Sequence, residues 1–473
     1  MSTHPTSKKV VIVGNGICGR IVAQSLVADK SLSVTIVAGT PFVEWSVAGT
    51  YVLARPEELA SYVGPNKSEF EIKGVSFVYG LATGIADASL RYRPLGGGEA
   101  AWSSATTLPP MSPGAADKPL LAESPTPLIP STPSGDEISL PYDVLVLATG
   151  FSMPTITATP GCSLGERRTE VQSFNDAVKD AASIVIGGGG VVGLELAGDI
   201  FEVMPAGCKL TVVSSSEALI PTNPPAESAR ALAQLHKMGV EVVLGDRVSS
   251  HSETLLEKGA TLTLKSGKEI KADVYVPAHT RGPRTQWIAP EMLDTAGNGG
   301  VAVNAHLQSP SNPKVFAVGP CNSLGEPAMI MKYEAQCLLV AKNVKALIKG
   351  AALRAHKEAE PAMKASPVQK IGHNTFAFTS TNAPFYPVVK ACGYPCNLVC
   401  PCVWCSVCGC LPCGPDCVTC CGPCCGEPEG KATALVWKKL MMVFFKMRFG
   451  KAAGSKPLGT KGGEAPKPEA MSR

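Results

Sequence analysis

Two glycine-rich turns, each between an apolar strand and a helix, constrain this chain more than any other feature. Their glycines share one spacing: Gly14, Gly16 and Gly19 in the first turn, and Gly188, Gly190 and Gly193 in the second. In a G-x-G-x-x-G turn the first glycine allows a tight bend, the second admits a diphosphate close to the backbone, and the third lets the helix pack on the strand. The sequence therefore predicts an α/β fold with two Rossmann-like, three-layer dinucleotide-binding domains.

The segments after each turn continue the strand–helix–strand order. Residues 21–28 and 194–202 are expected to be helical, and residues 34–37 and 209–213 to form the next strands. A long helix is expected over residues 328–349. By contrast, residues 94–134 are rich in Pro, Gly, Ser and Thr with little apolar periodicity, which is typical of an insertion outside the core.

The charge and the apolar runs of the chain exclude several classes of protein. A net charge of +4 is small beside 82 charged side chains, 43 basic and 39 acidic, so no nucleic-acid partner is predicted. No apolar run precedes the first strand, which indicates a cytoplasmic protein without a secretory signal. No charge-free apolar run of 18 residues occurs, which argues against a spanning helix but leaves contact with a membrane surface open.

Further motifs give the chain a resemblance to a known family. They are Phe42–Trp45 (FVEW), Val303–Gln308 (VNAHLQ), Val315–Cys321 (VFAVGPC) and the helix that begins near Tyr333. Together with the two turns, they resemble the FAD-dependent pyridine nucleotide oxidoreductases, also called two-dinucleotide-binding flavoproteins. In detail the chain is similar to the apoptosis-inducing-factor-like branch, which includes ferroptosis-suppressor-type NAD(P)H:quinone oxidoreductases. The resemblance covers about residues 8–350.

The resemblance implies FAD at the first turn and NADH or NADPH at the second, with electrons passing through the flavin to a quinone or similar small acceptor. FAD contacts are expected at Gly14, Gly16, Gly19, Thr149, Gly150 and Gly319. NAD(P)H contacts are expected at Gly188, Gly190, Gly193, Glu195 and Ser214. Glu195 and Tyr333 are expected near the redox centre, and no side chain is assigned a catalytic role because the flavin performs the chemistry.

The resemblance also divides the chain into domains. Residues 1–150 and 281–350 are expected to form two parts of an FAD-binding domain, with residues 151–280 forming the NAD(P)H-binding domain between them. A connecting region over 351–390 leads to a Cys-rich C-terminal extension over 391–427. Residues 428–473 are expected to form a basic amphipathic helix and a polar tail.

The chain departs from the family pattern at three positions. Ala38 stands where the family has an acid that binds the adenosine ribose, and Pro320 stands where an aspartate binds the ribityl chain. Proline supplies neither a carboxylate nor an N–H donor. A Thr-Gly turn expected near residue 280 is replaced by residues 279–282 (HTRG). An alternative hypothesis is therefore a flavin-deficient pseudoenzyme that acts as a nucleotide sensor or scaffold.

Two absences limit the chemistry. Residues 20–161 contain no cysteine, so the dithiol relay that disulfide reductases carry after the first unit is excluded, and Cys18 is interpreted as a small packing residue. The strand end Ser214–Ser216 lacks an acid that would repel a 2′-phosphate, so NADPH is allowed, and no nearby arginine makes it preferred.

Of the 18 cysteines, 13 lie between Cys392 and Cys425. Four of them have C-x-x-C spacing and are candidate metal ligands: Cys402, Cys405, Cys410 and Cys413. Apolar residues interleave with the cysteines and the tract has no histidine, which is also typical of S-acylated segments. Acylation, metal binding and disulfide formation all remain open.

Residues 434–449 form a basic apolar segment that is too short and too charged to span a bilayer. On a helical projection Lys438, Lys439 and Lys446 fall in one sector, and aromatic and aliphatic residues cover most of the rest. This is the pattern of an interfacial helix, so the tail is expected to dock the protein peripherally on a membrane. The alternative is a helix packed on the body of the protein.

Overall fold

Apolar runs that alternate with helices along the chain form two mainly parallel sheets. The computed structural model describes residues 7–65, 72–86, 88–95, 136–223, 225–326, 330–357, 368–370 and 376–378. The strands are β1 (Lys8–Val13), β2 (Leu32–Ala38), β3 (Phe42–Glu44), β4 (Val63–Pro65), β5 (Val75–Ala86), β6 (Ser89–Pro94), β7 (Ile138–Pro141), β8 (Val144–Leu147), β9 (Ser183–Gly187), β10 (Lys209–Val213), β11 (Glu241–Val243), β12 (Leu255–Thr263), β13 (Glu269–Pro277), β14 (Val315–Ala317), β15 (Val368–Lys370) and β16 (Phe376–Phe378). The α-helices are α1 (Ile17–Leu26), α2 (Gly49–Ala54), α3 (Leu164–Lys179), α4 (Val191–Phe201), α5 (Pro225–Lys237) and α6 (Ile330–Ile348).

The first sheet has the strand order β14-β8-β1-β2-β5-β6-β7. Its first five strands are parallel, and β6 and β7 complete it as an antiparallel edge. Successive residues of β1 face opposite sides of the sheet, as strand geometry requires. Val10 and Ile12 belong to one core, which includes residues of α1 and α6, whereas Val11 and Val13 belong to another. Burial on both faces explains why this strand is a continuous apolar run.

The second sheet has the order β11-β10-β9-β13-β12, in which β12 is the antiparallel edge. One core beside it includes Ile184, Ile186 and Leu196, so α4 packs on this sheet as α1 packs on the first. Helix α3 begins at a capping box in which Ser163 and Glu166 satisfy each other's backbone N–H groups. The prediction of two Rossmann-like α/β units is confirmed.

Both turn helices begin earlier than the sequence analysis predicted. Helix α1 starts at Ile17 rather than residue 21, and α4 starts at Val191 rather than residue 194. The prediction relied on apolar periodicity and missed that each helix begins directly after the central glycine of its turn. This detail matters because it brings the first N–H groups of each helix to the turn itself.

The Pro-rich insertion lies almost wholly outside the described residues, but its flanks are informative. Strands β6 and β7 pair antiparallel on either side of it, with Tyr92 opposite Ile138. The chain therefore leaves the sheet and re-enters it at neighbouring points. The Cys-rich tract, with Cys402, Cys405, Cys410 and Cys413, and the basic segment 434–449 also lie outside the described residues. Within the part of the chain that is described, no helix has the length and apolar character needed to cross a bilayer.

Candidate functional site

The first glycine turn connects β1 to α1. Gly14 has a φ of +111°, and a Cβ added to it would lie 2.3 Å from the carbonyl oxygen of Ala148. A Cβ at Gly19 would lie 2.0 Å from the carbonyl oxygen of Gly14. These two glycines are therefore required by the fold itself. At Gly16, in contrast, an added Cβ would meet nothing within 4 Å, so the protein interior does not require a glycine there.

The second turn, between β9 and α4, repeats this geometry. Gly188 has a φ of +146°, and its Cβ would lie 2.7 Å from the carbonyl oxygen of Ala278. A Cβ at Gly193 would lie 1.9 Å from the carbonyl oxygen of Gly188, whereas one at Gly190 would meet nothing within 4 Å. Each turn thus has two glycines that the fold requires and one whose Cβ would face open space. The open space is the cradle in which a phosphate group can approach the backbone.

No capping side chain or acidic residue occupies the helix N-terminus at either cradle. Neither Gly16 nor Gly190, the residues that cap α1 and α4, provides a side-chain hydrogen bond, and neither helix has an acidic residue in its first turn. The helix dipole and the N–H groups of the first helical turn favour a negative group at such a position. The cradles therefore fit the diphosphates of two dinucleotides, one in each unit.

The predicted segments around the first turn converge in space. The loop Ala148–Gly150 follows β8 and lies against Gly14. Gly319, after β14, lies on the other side: its φ is +72° and its added Cβ would fall 2.7 Å from Sγ of Cys18. The structure thus brings the first turn, Thr149, Gly150 and Gly319 together at the carboxyl ends of β1, β8 and β14.

Tyr333, on α6, lies close to Gly319. Its Cγ lies 4.0 Å from the position of a Gly319 Cβ, its ring is half-buried, and burial raises the pKa of its phenol above the ordinary value of 10. Two thiols that sequence reasoning left without a role, Cys321 and Cys337, are fully buried near it. Burial raises the pKa of both thiols, so they remain protonated at neutral pH. Among the described residues no group of His, Cys, Asp and Glu is arranged to bind a metal ion.

Gly319 is held by a residue that the sequence analysis missed. Its N–H donates to Oε1 of Gln336 at 2.8 Å, and Nε2 of Gln336 donates to Oε2 of Glu326 at 2.7 Å. Glu326 Oε1 in turn lies 3.1 Å from Nε2 of His356. The segment at Gly319 is thus stabilised from inside the protein, through a side chain of α6.

The predicted residues of the second unit lie on the elements around the second turn. Ser214 follows β10 and is buried, and its hydroxyl accepts a hydrogen bond from the Ser216 N–H at 3.3 Å. Glu195 is half-buried on α4, one turn beyond the cradle. The substituted segment at His279 follows β13, and its Nδ1 lies 3.1 Å from the carbonyl oxygen of Gly187, at the start of the turn. This loop borders the second turn as Ala148–Gly150 borders the first.

A buried ion pair joins β3, which follows the first glycine turn, to α3, which precedes the second. Glu44, on β3, binds Arg167, on α3, through Oε1 at 2.8 and 3.1 Å, and Arg167 also binds Glu170 at 2.6 Å. Burial opposes the charge of Arg167, but Glu44 and Glu170 outweigh it and raise the guanidinium pKa. Removing one partner of such a pair costs about 3–5 kcal/mol.

A second contact joins α2 to α4. Arg55 pairs with Glu202 and with Asp199, whose side chain is fully buried, the latter at 3.5 Å. The guanidinium of Arg55 also lies 4.7 Å from the centre of the Tyr51 ring. These contacts hold the two cradles at a fixed relative position.

Comparisons with known proteins agree with this geometry. Two curated relatives are the FAD-dependent oxidoreductase FVFD30 of Flammulina velutipes, 33% identical over 217 residues, and the nitric oxide reductase FlRd-NAD(+) reductase of Salmonella schwarzengrund, 30% identical over 208 residues. These matches cover 46% and 43% of this chain, and 66% and 53% of the relatives. The chain thus matches between about half and two thirds of the length of these relatives.

Solved structures share the fold at low identity. The sulfide:quinone oxidoreductase of Aquifex aeolicus superposes with a TM-score of 0.56 at 16% identity, covering 80% of this chain and 85% of that chain. The water-forming NADH oxidase of Lactobacillus brevis superposes with a TM-score of 0.50 at 17% identity, covering 72% of this chain and 69% of the oxidase. A family model matches residues 8–336, more than half of the chain, and the protein therefore belongs to the pyridine nucleotide-disulphide oxidoreductase family, whose members are FAD-dependent, NAD(P)H-binding oxidoreductases.

Proposed function

We propose that the protein oxidises NADH or NADPH with FAD bound at the first turn and passes the electrons to a quinone or a similar small acceptor. One observation carries the proposal: a single chain holds two cradles of the same geometry, around Gly16 and Gly190, at a fixed relative position. Membership in a family that binds both FAD and NAD(P)H supports the assignment of one dinucleotide to each cradle.

The protein residues supply position and electrostatics. When bound, FAD accepts a hydride from the nicotinamide and releases electrons to the acceptor. Gly16 and Gly190 admit the two diphosphates, and the N-termini of α1 and α4 favour their charge. The ion pairs of Glu44 and Arg55 keep the two units in a fixed relative position. No described side chain is required as a general acid or base.

The choice of a quinone as acceptor rests on the thiols and on the resemblance to the ferroptosis-suppressor-type branch. No cysteine lies between residues 20 and 161, where a dithiol relay would be expected. Cys162, near Arg167, is buried, and burial raises the pKa of its thiol to about 12. A thiol in that state is a poor nucleophile at neutral pH, which disfavours disulfide chemistry. With no dithiol beside it, a bound flavin would pass electrons to the acceptor itself, and a quinone can accept them in pairs or singly.

A specific observation favours the alternative of a flavin-deficient nucleotide sensor or scaffold. Ala38 and Pro320 provide no carboxylate, and the N–H of Gly319 is already bound to Gln336. If the remaining contacts are too few, the fold persists without flavin.

One experiment separates the two functions. Full-length protein is purified, its visible absorption is recorded, and it is mixed without oxygen with NADH, NADPH and then a soluble quinone. Bleaching of bound flavin by either nicotinamide, followed by its recovery with quinone, is the expected result. Protein that remains colourless after titration with FAD would establish the alternative. Bleaching without recovery would leave an oxidoreductase with a different acceptor.

We also propose that the enzyme is cytoplasmic and docks on a membrane surface through its C-terminal tail, where a lipid-soluble quinone is available. The basis is the sequence of residues 434–449 and the adjacent cysteine tract. Basic side chains near an anionic leaflet contribute about 1 kcal/mol each, and acylated cysteines would supply the second signal that stable anchoring needs.

Flotation with anionic liposomes tests the docking. Full-length protein is compared with a protein that ends at Pro384. Each is tested both before and after hydroxylamine has released acyl groups from its thiols. We expect only the full-length protein to float. If neither floats and no thiol-linked acyl groups are found, the docking proposal is wrong, and zinc content then tests Cys402, Cys405, Cys410 and Cys413 as ligands.

A further inference from the structure

The two glycine turns can be compared residue by residue because their backbones follow the same hydrogen bonds. The N–H of Gly14 donates to the carbonyl oxygen of Val37 at 2.9 Å, and that of Gly188 donates to Val213 at 2.8 Å. It follows that Asn15 is equivalent to Gly189. On the same register, Ala38 is equivalent to Ser214, and Arg20 is equivalent to Leu194.

The equivalent pairs differ in a way that matters for binding. In the second unit an added Cβ at Gly189 would lie 2.6 Å from the Cβ of Ser214, so this position of the turn faces the end of the second strand. The first unit reverses the sizes: the turn has the larger Asn15, and the strand ends in the small Ala38. A polar side chain on the turn thus stands opposite the strand-end position at which the family resemblance predicts an acid.

Arg20 adds a positive charge to the same turn. Its side chain is only 7% exposed, and its Nη1 donates to Oδ1 of Asn15 at 3.2 Å. Side chains in a helix lean toward its N-terminus, so Arg20 reaches back from the first helical turns to the cradle. The equivalent Leu194 is fully buried and apolar, which shows that this fold does not require a cation here.

The guanidinium of Arg20 is largely removed from water. Burial lowers the pKa of the guanidinium to about 10 from 12.5. A negative group at the turn would reverse this effect, since an opposite charge favours the ionised form. Arg20 is therefore positioned to gain from an anion that arrives at the Gly16 cradle.

We propose that Arg20, oriented by Asn15, binds the diphosphate of FAD and takes over part of the anchoring that a strand-end acid would provide at position 38. Arginine presents several N–H donors in a planar group that matches phosphate oxygens. The inference rests on the proposed binding of FAD at the first turn, and it adds a contact that depends on charge rather than on the glycine fingerprint.

The test compares wild-type protein with Arg20→Gln, Arg20→Lys and Asn15→Ala, all full length and freed of flavin. Each is titrated with FAD, ADP, AMP and adenosine, and binding is followed by calorimetry and by the rise in melting temperature. For Arg20→Gln we expect FAD and ADP to bind about 10- to 100-fold more weakly, as the loss of a charged hydrogen bond predicts. Adenosine should be unaffected. Arg20→Lys should retain part of the affinity, and Asn15→Ala should show a smaller loss.

The ligand series distinguishes the sources of any loss. If Arg20→Gln binds FAD and ADP as wild type does, the inference is wrong. It is also wrong if adenosine loses as much affinity as ADP, because Arg20 then shapes the pocket or contacts the ribose. If Arg20→Gln does not fold, Arg20→Lys and Asn15→Ala decide together: wild-type binding of ADP by both variants would refute the inference. Wild-type protein that takes up no FAD refutes the proposed function, yet a loss of ADP binding in Arg20→Gln would still support the phosphate contact.

Discussion

The backbone N–H of Gly319 donates a 2.8 Å hydrogen bond to Oε1 of Gln336, 17 residues further along the chain. Both residues are fully or almost fully buried. The same Gln336 oxygen accepts from Nδ2 of Asn322 at 2.9 Å. A single amide on α6 therefore fixes the segment that contacts the first cradle, where the family resemblance predicts a Gly-Asp pair.

Replacing Gln336 by Met keeps the volume of the side chain but removes this acceptor. The buried N–H of Gly319 then loses its partner, which costs about 1–3 kcal/mol. We expect the free energy of unfolding, measured by chemical denaturation, to fall by that amount, together with weaker binding of FAD. Leu338→Gln serves as the control, because Leu338 lies on the exposed side of the same helix and its replacement should have little effect. Equal stability of both variants would contradict the assignment.

The central glycines of the two cradles should be separable by mutation. A methyl group at Gly16 or Gly190 meets no protein atom within 4 Å, and both residues have extended backbone that any residue adopts. Gly16→Ala should weaken FAD binding, and Gly190→Ala should weaken NAD(P)H binding, each by at least about tenfold, or about 1.4 kcal/mol. Titration of each ligand and melting of the apo-protein measure this. The assignment is wrong if either variant impairs both ligands equally.

Replacing the third glycine of either turn, Gly19 or Gly193, should instead destabilise the fold itself. A Cβ at Gly19 or Gly193 would fall about 2 Å from a backbone oxygen of the same turn, so the turn must move to accept it. Overpacking of this kind costs about 1–3 kcal/mol or more. Gly193→Ala should therefore lower the melting temperature of the apo-protein, whereas Gly190→Ala should not. Identical melting of the two variants would show that the turn is more adaptable than its geometry indicates.

The sequence predicts the cradles well because the required residue type is visible in the chain itself. A glycine that must bend the backbone or admit a phosphate has no substitute, so its position is informative without a structure. Gln336 and Arg167 give no such signal. A polar residue within a helix normally faces water, and only the fold reveals that Arg167 is fully buried against Glu44, 123 residues away.

Asp273 links the strands of the second sheet in a manner that depends on pH. Burial alone would raise the pKa of its carboxyl group, but N–H groups of Gly259, Ala182 and Ser183 donate to it at 2.7, 2.6 and 3.1 Å and lower the pKa below 3.8. A group whose pKa is lower in the folded state stabilises the fold above its unfolded pKa, and this contribution is lost as pH falls through the folded value. Wild-type protein should melt higher than Asp273→Asn at neutral pH, and the difference should shrink below pH 3.8. A difference that stays constant over this range would refute the linkage.

Deletion of residues 96–134 should leave the fold intact. The insertion is poor in apolar periodicity, so its removal takes away no residues expected in the core, and its flanks are paired strands in which Tyr92 lies opposite Ile138. The shortened chain needs only a tight connection between β6 and β7, which antiparallel neighbours permit. Tyr92 and Leu95 are buried and must be kept, so the deletion begins after Leu95. We expect cooperative melting at a temperature close to that of wild type, and unchanged binding of NADH at the Gly190 cradle.

A second deletion that extends back through Ser89–Pro94 is the matched control, because it removes a strand of the first sheet and should abolish soluble expression. If the shorter deletion also fails to give soluble, cooperatively melting protein, the insertion contributes to the core after all.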